Sequence, residues 1–173
     1  MPIVVNQGCT RVLKELKDSC VFWFAVGRTT AWLDEQNPPS EDATRTDIEE
    51  IQGFKKVERV AFVKPDPMGT ISFKGQNYKV VPDTDVWAEL PLYLYFSAWL
   101  LFDQFPVVTF RQTGLYVDVV PTPGSEGKDI LLPDEVQSKR LVAYVNHHPR
   151  VRVSYGKDLL EMIVKLEGVL TSL

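Results

Sequence analysis

The stretch WFAVGRTTAWLDEQNPPS, residues 23–40, raises the question on which the fold and function of this chain depend. Its first residues are apolar and indicate a buried strand, which stops at Gly27 and continues into a polar segment that begins with Arg28. A glycine, a cation and two hydroxyl groups after a strand suit either a phosphate cradle or a structural turn. A phosphate loop needs two glycines and a lysine leading into a helix, whereas this stretch has one glycine and leads into a proline-bearing loop. The residues therefore favour a structural corner.

The periodicity of apolar residues predicts a mainly β protein with one N-terminal helix. The helix is expected at residues 10–18 with Thr10 as its N-cap, and Leu92–Phe102 is apolar on both alternating faces, as in a strand covered on both sides. Gly75-Gln76-Asn77 between two apolar runs predicts a hairpin. About eight strands without βαβ alternation indicate a β-sandwich, Ig-like or barrel-like, that forms a single domain over residues 1–173. Strands are also expected at 107–120, 140–146 and 150–154, with one or two helical turns at 46–52.

Composition and charge narrow the function classes. The net charge of −4 and the pI near 5.2 argue against general nucleic-acid binding, which requires a basic face. The best local basic patch consists of Lys139, Arg140, Arg150 and Arg152, and these residues are also typical of solvated strand ends. The two cysteines, Cys9 and Cys20, are not accompanied by the ligand spacing of a zinc site, so we expect no metal and a reducing compartment.

Targeting and membrane signals are also missing from the sequence. Residues 1–5 lack the basic start and the long apolar run of a signal peptide. The most apolar segment, Leu90–Phe105, contains Pro91 and Asp103 and is shorter than the roughly 20 residues of a membrane span. We therefore expect a soluble protein without membrane contact.

The search for catalytic and cofactor-binding residues gives weak candidates. His147 and His148 are adjacent, so they point to opposite faces of an extended chain, and a surface pair is a better interpretation than a catalytic base. Asp85 close to Trp87 is the starting point of a glycoside-binding hypothesis. Other paired carboxylates lie in predicted loops. We predict no catalytic residue, no cofactor and no metal site.

Three motifs share their order along the chain with a known family. Gly27-Arg28 is followed by Trp32 and Asn37-Pro38-Pro39; Phe110-Arg111-Gln112 opens a later strand; and Tyr144-Val145-Asn146 leads to a corner at Pro149. In this order they resemble the baseplate wedge protein of T-even-type contractile-tail phages, the gene 8 product family. The T-even protein is much longer, and the present chain has Asn146-His147-His148-Pro149 where the family has Asn-Arg-Pro-Pro.

The resemblance implies a β-sandwich core, a structural role in a virion and a dimer. It also implies roles for residues of the corner. Gly27 would let the chain turn sharply out of a buried strand, Arg28 would hold loop carbonyls or a carboxylate, and Trp32 would close the loop onto the sheet. The motif residues carried over are Gly27, Arg28, Trp32, Pro38, Pro39, Phe110, Arg111, Gln112, Asn146 and Pro149.

Two physical expectations follow for the corner and for the longest connection. Arg28 and Arg111 each lie beside a buried strand, so both are expected to be at least half buried and bound to carbonyls or a carboxylate. The long connection 121–139 carries the apolar triplet Ile130-Leu131-Leu132, which a solvated loop does not need. The triplet either packs on its own sheet or docks on a partner, and its extensible flanks favour docking slightly.

The leading functional hypothesis is a non-enzymatic structural protein of a contractile-tailed phage, placed in the baseplate wedge. Its partners would be other tail or baseplate proteins and a second copy of the chain, without nucleic acid or membrane. It would be assembled in the host cytoplasm and located in the virion. One alternative is a head–tail neck or connector protein. Another is a carbohydrate-binding or hydrolytic tail module that uses Asp85, Trp87 and Trp32.

Overall fold

The computed structural model describes residues 3–167 and is mainly β, with an N-terminal helix, α1 (Asn6–Ser19), and a short helix, α2 (Val86–Glu89). The strands are β1 (Trp23–Gly27), β2 (Gly53–Lys56), β3 (Arg59–Pro65), β4 (Ile71–Phe73), β5 (Gln76–Val81), β6 (Tyr93–Leu100), β7 (Thr109–Pro121), β8 (Ile130–Leu131), β9 (Val136–Val151) and β10 (Asp158–Lys165). Sheet A has the order β8-β2-β1-β7-β9, and sheet B has the order β10-β6-β3-β5-β4. The predicted mainly β class with one N-terminal helix is confirmed. Strands as short as β2 and β8 give little periodic signal, which explains why fewer were expected.

The described chain divides into two compact units. Unit 1 contains residues 3–20, 59–97 and 161–167, and unit 2 contains residues 21–58 and 98–160. Unit 1 has a buried apolar cluster of Val63, Ile71, Tyr78 and Tyr95. Unit 2 has a buried cluster of Trp23, Ala25, Ile48, Phe54, Tyr116 and Leu131. The single sandwich domain over residues 1–173 stays a prediction.

Helix α1 begins earlier than the sequence predicted, and Thr10 does not cap it. Val5 occupies the N-cap position without a side-chain hydrogen bond, and Thr10 lies inside the helix. The Thr10 hydroxyl is fully buried and donates to the carbonyl of Pro91 at 3.2 Å. Cys9, Thr10 and Leu13 form the buried face of the helix. The N-cap prediction was wrong because the helix begins before Thr10. The Thr10 hydroxyl bonds to a carbonyl that is distant in sequence and not to a backbone N–H of the first helical turn.

Sheet B contains the predicted hairpin. The hairpin joins β4 to β5 through Lys74-Gly75, one residue earlier than the predicted Gly75-Gln76-Asn77, and the φ angles of 48° and 78° are those of a type I′ turn. That turn matches the twist of the flanking strands, and Gly75 takes the left-handed conformation without a steric cost. Strand β6 is buried at nearly every position, as the apolar character of both its faces predicted.

In sheet A, β9 is one long strand where two were predicted. Its register places Asn146 opposite Gln112 and Arg150 opposite Phe110, so residues 147–149 bulge opposite a single residue of β7. Pro149 lies in this bulge and is exposed. A proline has no N–H to donate and is tolerated in a bulge, which is why the strand continues through it.

The connection 121–139 is not the extended loop that the sequence predicted. Its centre forms β8, in which Leu131 pairs with Phe54 at the edge of sheet A and is fully buried in the cluster of unit 2. The expected docking of the triplet on a partner is therefore wrong for Leu131, whose side chain is used in its own core. Leu132 is 46% exposed, and a partner contact through Ile130 and Leu132 stays a prediction.

The carboxylate of Glu135 holds this segment in place. It accepts the backbone N–H of Leu132 at 2.8 Å and the hydroxyl of Ser125 at 3.0 Å, and it pairs with the ammonium group of Lys128. The hydrogen bonds from Leu132, Lys128 and Ser125, in that order, lower the pKa of Glu135 to about 2. The carboxylate thus gives the chain a fixed turn between β8 and β9.

Replacing Leu131 by alanine should destabilise the protein by about 2–5 kcal/mol, because it removes buried methyl groups and leaves a cavity. The matched control is Leu132→Ala, the same chemical change next to it on an exposed side chain, which should stay within about 0.5 kcal/mol of wild type. Urea unfolding of the three proteins measures the difference. Equal effects at the two positions would show that the triplet does not belong to the core.

Candidate functional site

The three motifs come together in unit 2, where residues 28–50 contact β1, β7 and β9 of sheet A. In the register of β1, β7 and β9, Gly27 lies opposite Gln112, and Gln112 lies opposite Asn146. These residues share one face of the sheet, which the loop contacts through Pro39 and Glu49. We call this region the loop junction, formed by residues 28–50 and the facing residues of β1, β7 and β9.

Two glycines on neighbouring strands let the loop approach the sheet. A Cβ atom on Gly27 would lie 2.2 Å from the carbonyl oxygen of Glu49, and one on Gly114 would lie 3.2 Å from the Ile48 side chain. The role expected for Gly27 was different, since it does not have a left-handed conformation. Arg28 has it instead, with φ of 53°. Gly27 therefore provides room for backbone contact, and the turn occurs one residue later.

Arg28 fixes the start of the loop. Its N–H donates to the carbonyl of Glu49 at 2.6 Å, and its guanidinium pairs with the Glu49 carboxylate. The guanidinium also stacks 4.1 Å from the ring centroid of Trp32 and donates to the carbonyl of Ala31 at 3.3 Å. Among the described residues, Arg28 Nε is buried without a hydrogen-bond partner. Burial acts to raise the pKa of Glu49, but the hydrogen bonds from Arg28 and Arg45 outweigh it and hold the pKa below its ordinary value.

Arg111 on β7 is 8% exposed and binds the loop more fully than Arg28 does. Its Nε lies 2.8 and 2.9 Å from the two carboxylate oxygens of Glu35, and its Nη2 lies 2.6 Å from Oε1. The remaining Nη1 donates to the carbonyl of Thr29 at 2.6 Å. The hydrogen bond from Arg111 lowers the pKa of Glu35. Arg111 is buried and the Arg28 side chain is 21% exposed, so both arginines are more than half buried and paired, as predicted, because a guanidinium left unpaired away from water is costly.

Side-chain amides connect the loop with β7 and β9. The Gln112 side chain accepts the N–H of Glu49 at 2.8 Å and donates to the Asn146 side chain at 2.8 Å. Asn146 in turn donates to the carbonyl of Pro39 at 2.8 Å, and its backbone N–H donates to the Glu41 carboxylate at 3.0 Å. Carbonyl and N–H groups of a loop that lies on a sheet must find partners, and these two amides supply them.

The histidines also bind groups of their own chain. His147 Nδ1 donates to the carbonyl of His148 at 2.7 Å, and its Nε2 lies 3.1 Å from the Thr113 hydroxyl. His148 Nδ1 donates to the carbonyl of Glu35 at 2.9 Å, and the Trp32 indole donates to the carbonyl of His147 at 3.1 Å. A hydroxyl beside an imidazole has the chemistry of a nucleophile and its base, but Thr113 is 3% exposed and a substrate does not reach it.

The remaining motif residues surround this network. Phe110 is fully buried and meets the His147 ring edge-on at 5.5 Å. Pro38 is half-buried, and Pro39 is exposed and contributes its carbonyl to Asn146. Pro149 lies in the bulge of β9. The sequence did not identify Glu35, Glu41 and Glu49 as the carboxylates that bind Arg111, Asn146 and Arg28. Their partners are distant in sequence, so no local pattern distinguishes them from other loop carboxylates.

The residues of the sugar-binding hypothesis belong to different units. Trp32 is buried in unit 2, and its ring is covered by the Arg28 guanidinium, so it is not available for stacking on a sugar. Asp85 and Trp87 lie in unit 1 and are both exposed. Within residues 3–167, no cluster of three or more His, Cys, Asp or Glu side chains is arranged to hold a metal ion. None of the helices in that range has both the length and the apolar composition of a membrane span.

The basic-patch hypothesis is wrong for Arg152. Its side chain is 1% exposed, pairs with Asp158 at 3.0 Å and donates to the carbonyls of Gln104, at 2.7 Å, and Leu101. The Arg152 side chain thus connects the segment that precedes β7 to the segment that follows β9, and it does not face solvent. Of the other three residues, Lys139 pairs with Asp47, Arg140 pairs with Asp118, and Arg150 donates to the carbonyl of Leu159.

Comparison with known proteins gives two matches that cover most of the chain. Residues 1–166 match the family described as baseplate wedge 3 tail fiber network component. The chain is also similar to virion protein 3 of Enterococcus phage phiEF24C, with 30% identity over 165 residues that cover 92% of this chain and 87% of that protein. The resemblance to a phage baseplate wedge family that the three motifs indicated is confirmed.

Gly27→Ala should destabilise the protein by about 1–3 kcal/mol, because the added methyl group displaces the backbone of Glu49. Gly8→Ala is the control. It adds the same methyl group inside α1, where alanine is the better helix former and should be neutral or stabilising by up to about 1 kcal/mol. Thermal unfolding of both variants measures the contrast. A Gly27→Ala protein as stable as wild type would refute the close approach.

Arg111→Gln should cost about 2–3 kcal/mol at pH 7, because it leaves Glu35 and the Thr29 carbonyl without their donor. The Glu35 pKa is lowered in the folded state, so its contribution is complete above its ordinary pKa of 4.5 and is lost as the pH falls through the folded value. The difference between wild type and variant should therefore shrink as the pH falls below 4.5 and through the lowered pKa of Glu35. Arg140→Gln, on an exposed ion pair, is the control and should have little effect. A difference that does not depend on pH would contradict the pairing.

Proposed function

Because this chain belongs to the family of baseplate wedge 3 tail fiber network components and is a structural protein of the phage virion, we propose that it is built into the baseplate wedge and works there through contacts with other proteins. The match over residues 1–166 of 173 carries this proposal. It acts in the virion as an element of the baseplate and its tail fibre network, after assembly in the host cytoplasm.

The loop junction supports a role without catalysis. The side chains of this region that are of types used in catalysis bind carbonyls, carboxylates and amides of their own chain. The Thr113 hydroxyl, which lies beside the His147 imidazole, is buried. Such a network holds a loop of more than 20 residues in one conformation. A rigid loop on a sheet gives neighbouring subunits a defined surface at small entropic cost.

The proposed partners are other tail or baseplate proteins and a second copy of the chain. The dimer rests on the resemblance to the T-even-type protein. Nucleic acid and membrane are not among the proposed partners, in keeping with the net charge of −4. A neck or connector role has less support, because the matching family is described as a wedge component.

Electron microscopy of virions that carry a tagged copy of the chain tests the proposal. The tag should appear at the baseplate with the symmetry of the wedges, and particles without the chain should lack complete baseplates. In solution, light scattering should give about twice the chain mass of 19.7 kDa. A tag located at the neck would overturn the wedge assignment, and a monomer at every accessible concentration would overturn the dimer.

A further inference from the structure

Exposed apolar side chains gather at one end of unit 2. Val151 pairs with Thr109 at the point where β9 ends and β7 begins, and the segments beyond this pair carry several large apolar residues. Each of these residues is at least 39% exposed, and Tyr155 is 88% exposed. We call this surface the apolar end, and it is formed by Trp99, Leu101, Phe102, Val107, Val151 and Tyr155.

Arg152 holds the two segments of the apolar end side by side. Its backbone N–H donates to the carbonyl of Val108 at 2.9 Å, and its guanidinium donates to the carbonyls of Leu101 and Gln104. The N–H of Leu101 in turn donates to the Gln104 side chain at 3.0 Å. A buried cation thus fixes the backbone that carries the exposed side chains, so little conformational entropy is left to lose when a partner binds.

The area of the apolar end is close to that of a protein–protein interface. At their exposed fractions the six residues present roughly 700 Å² of surface, because an aromatic side chain alone offers about 150–250 Å². The largest apolar patch on a typical monomer is about 300–600 Å², and each partner contributes about 800 Å² to a stable interface. Half of the six residues are aromatic, the class that is enriched in interface cores.

The charges around the apolar end permit two identical chains to meet there. Copies with a net charge of −4 repel each other wherever their acidic surfaces approach. Residues 28–50 carry seven carboxylates and two arginines, so the loop junction is such an acidic surface. Residues 99–108 and 150–158 carry three cations and two carboxylates. The apolar end therefore lies where the negative charge of the chain does not.

Two charges of opposite sign beside the apolar residues point to a second copy as the occupant. Asp103 follows Phe102 and is exposed, and the exposed Lys157 places its ammonium group 4.4 Å from the ring centroid of Trp99. Within residues 3–167, neither Asp103 nor Lys157 has an ion-pair partner. A two-fold interface brings one residue of a patch to a second residue of the same patch on the other copy, and the reverse. A cation and a carboxylate on one patch can therefore pair twice across it.

We propose that the apolar end binds the apolar end of a second copy, in a two-fold dimer in which Asp103 of each copy pairs with Lys157 of the other. Burial of Phe102 and Tyr155 supplies affinity, and the two ion pairs fix the orientation. A second copy is also present wherever the chain is made, at the concentration of the chain itself. This inference rests on the proposed dimer and adds its surface.

Sedimentation velocity of charge variants tests the two-fold contact. Asp103→Lys and Lys157→Asp each bring like charges together, so each should raise the Kd of the dimer about tenfold or more at low salt. The protein with both changes regains two pairs of opposite charge and should return to within about threefold of wild type. A wild-type dimer with no recovery in the double variant would overturn this contact and leave the proposed dimer intact.

A pair of matched variants tests the apolar part of the surface. Tyr155→Asp places a charge in the apolar end, and Val120→Asp places the same charge on an exposed valine near the far end of β7. At concentrations where wild type is a monomer, both should melt within about 3 °C of it, because both positions are exposed. Only Tyr155→Asp should lose the dimer.

The outcomes of this comparison separate the surface from the dimer. A wild-type chain that stays monomeric would overturn the dimer and this surface together. A dimer that Tyr155→Asp leaves intact would overturn the surface alone. A Tyr155→Asp dimer that no longer enters baseplates would also overturn it, since it would show that another protein covers the apolar end.

Discussion

The close approach of the Glu49 backbone to Gly27 is the constraint on which the loop junction depends. With its carbonyl 2.2 Å from where a Cβ of Gly27 would be, the loop lies on the sheet backbone. From that position Glu49 reaches Arg28 with both its carbonyl and its carboxylate, and its N–H reaches Gln112. A larger residue at position 27 would lift the segment away from the sheet, and these three contacts would lengthen together.

The same segment is anchored a few residues earlier by a buried phenol. Tyr116 on β7 is fully buried, and its hydroxyl donates to the Asp47 carboxylate at 2.5 Å and accepts the N–H of Ile48 at 3.1 Å. Burial raises the pKa of Tyr116, and the hydrogen bond to Asp47 raises it further, so the hydroxyl stays a donor. Lys139 on β9 pairs with the other oxygen of Asp47 at 2.7 Å. Two neighbouring strands of one sheet thus hold the loop through a single carboxylate.

This distribution of polar contacts suits a structural protein. Enzymes keep polar groups free for a substrate, whereas at the loop junction the arginines, amides and histidines are bound to the chain itself. Within residues 3–167, β9 is the outermost strand of sheet A and pairs with β7 on one side.

The sequence by itself determined the β class, the N-terminal helix, the β4–β5 hairpin, the buried strand β6 and the family, because these follow from periodicity, turn residues and local motifs. It also indicated that Arg28 and Arg111 are paired, since a buried guanidinium requires a partner. Only the tertiary structure decided which carboxylates serve them. Glu35 and Arg111 are 76 residues apart, and no local pattern joins them.

The tertiary structure also decided that the side chains of Thr10, Leu131 and Arg152 are buried. From the local sequence, Thr10 was expected to cap the helix, Leu131 to dock on a partner and Arg152 to belong to a solvated basic patch. Each is buried because a distant carbonyl, a strand edge or a carboxylate lies beside it.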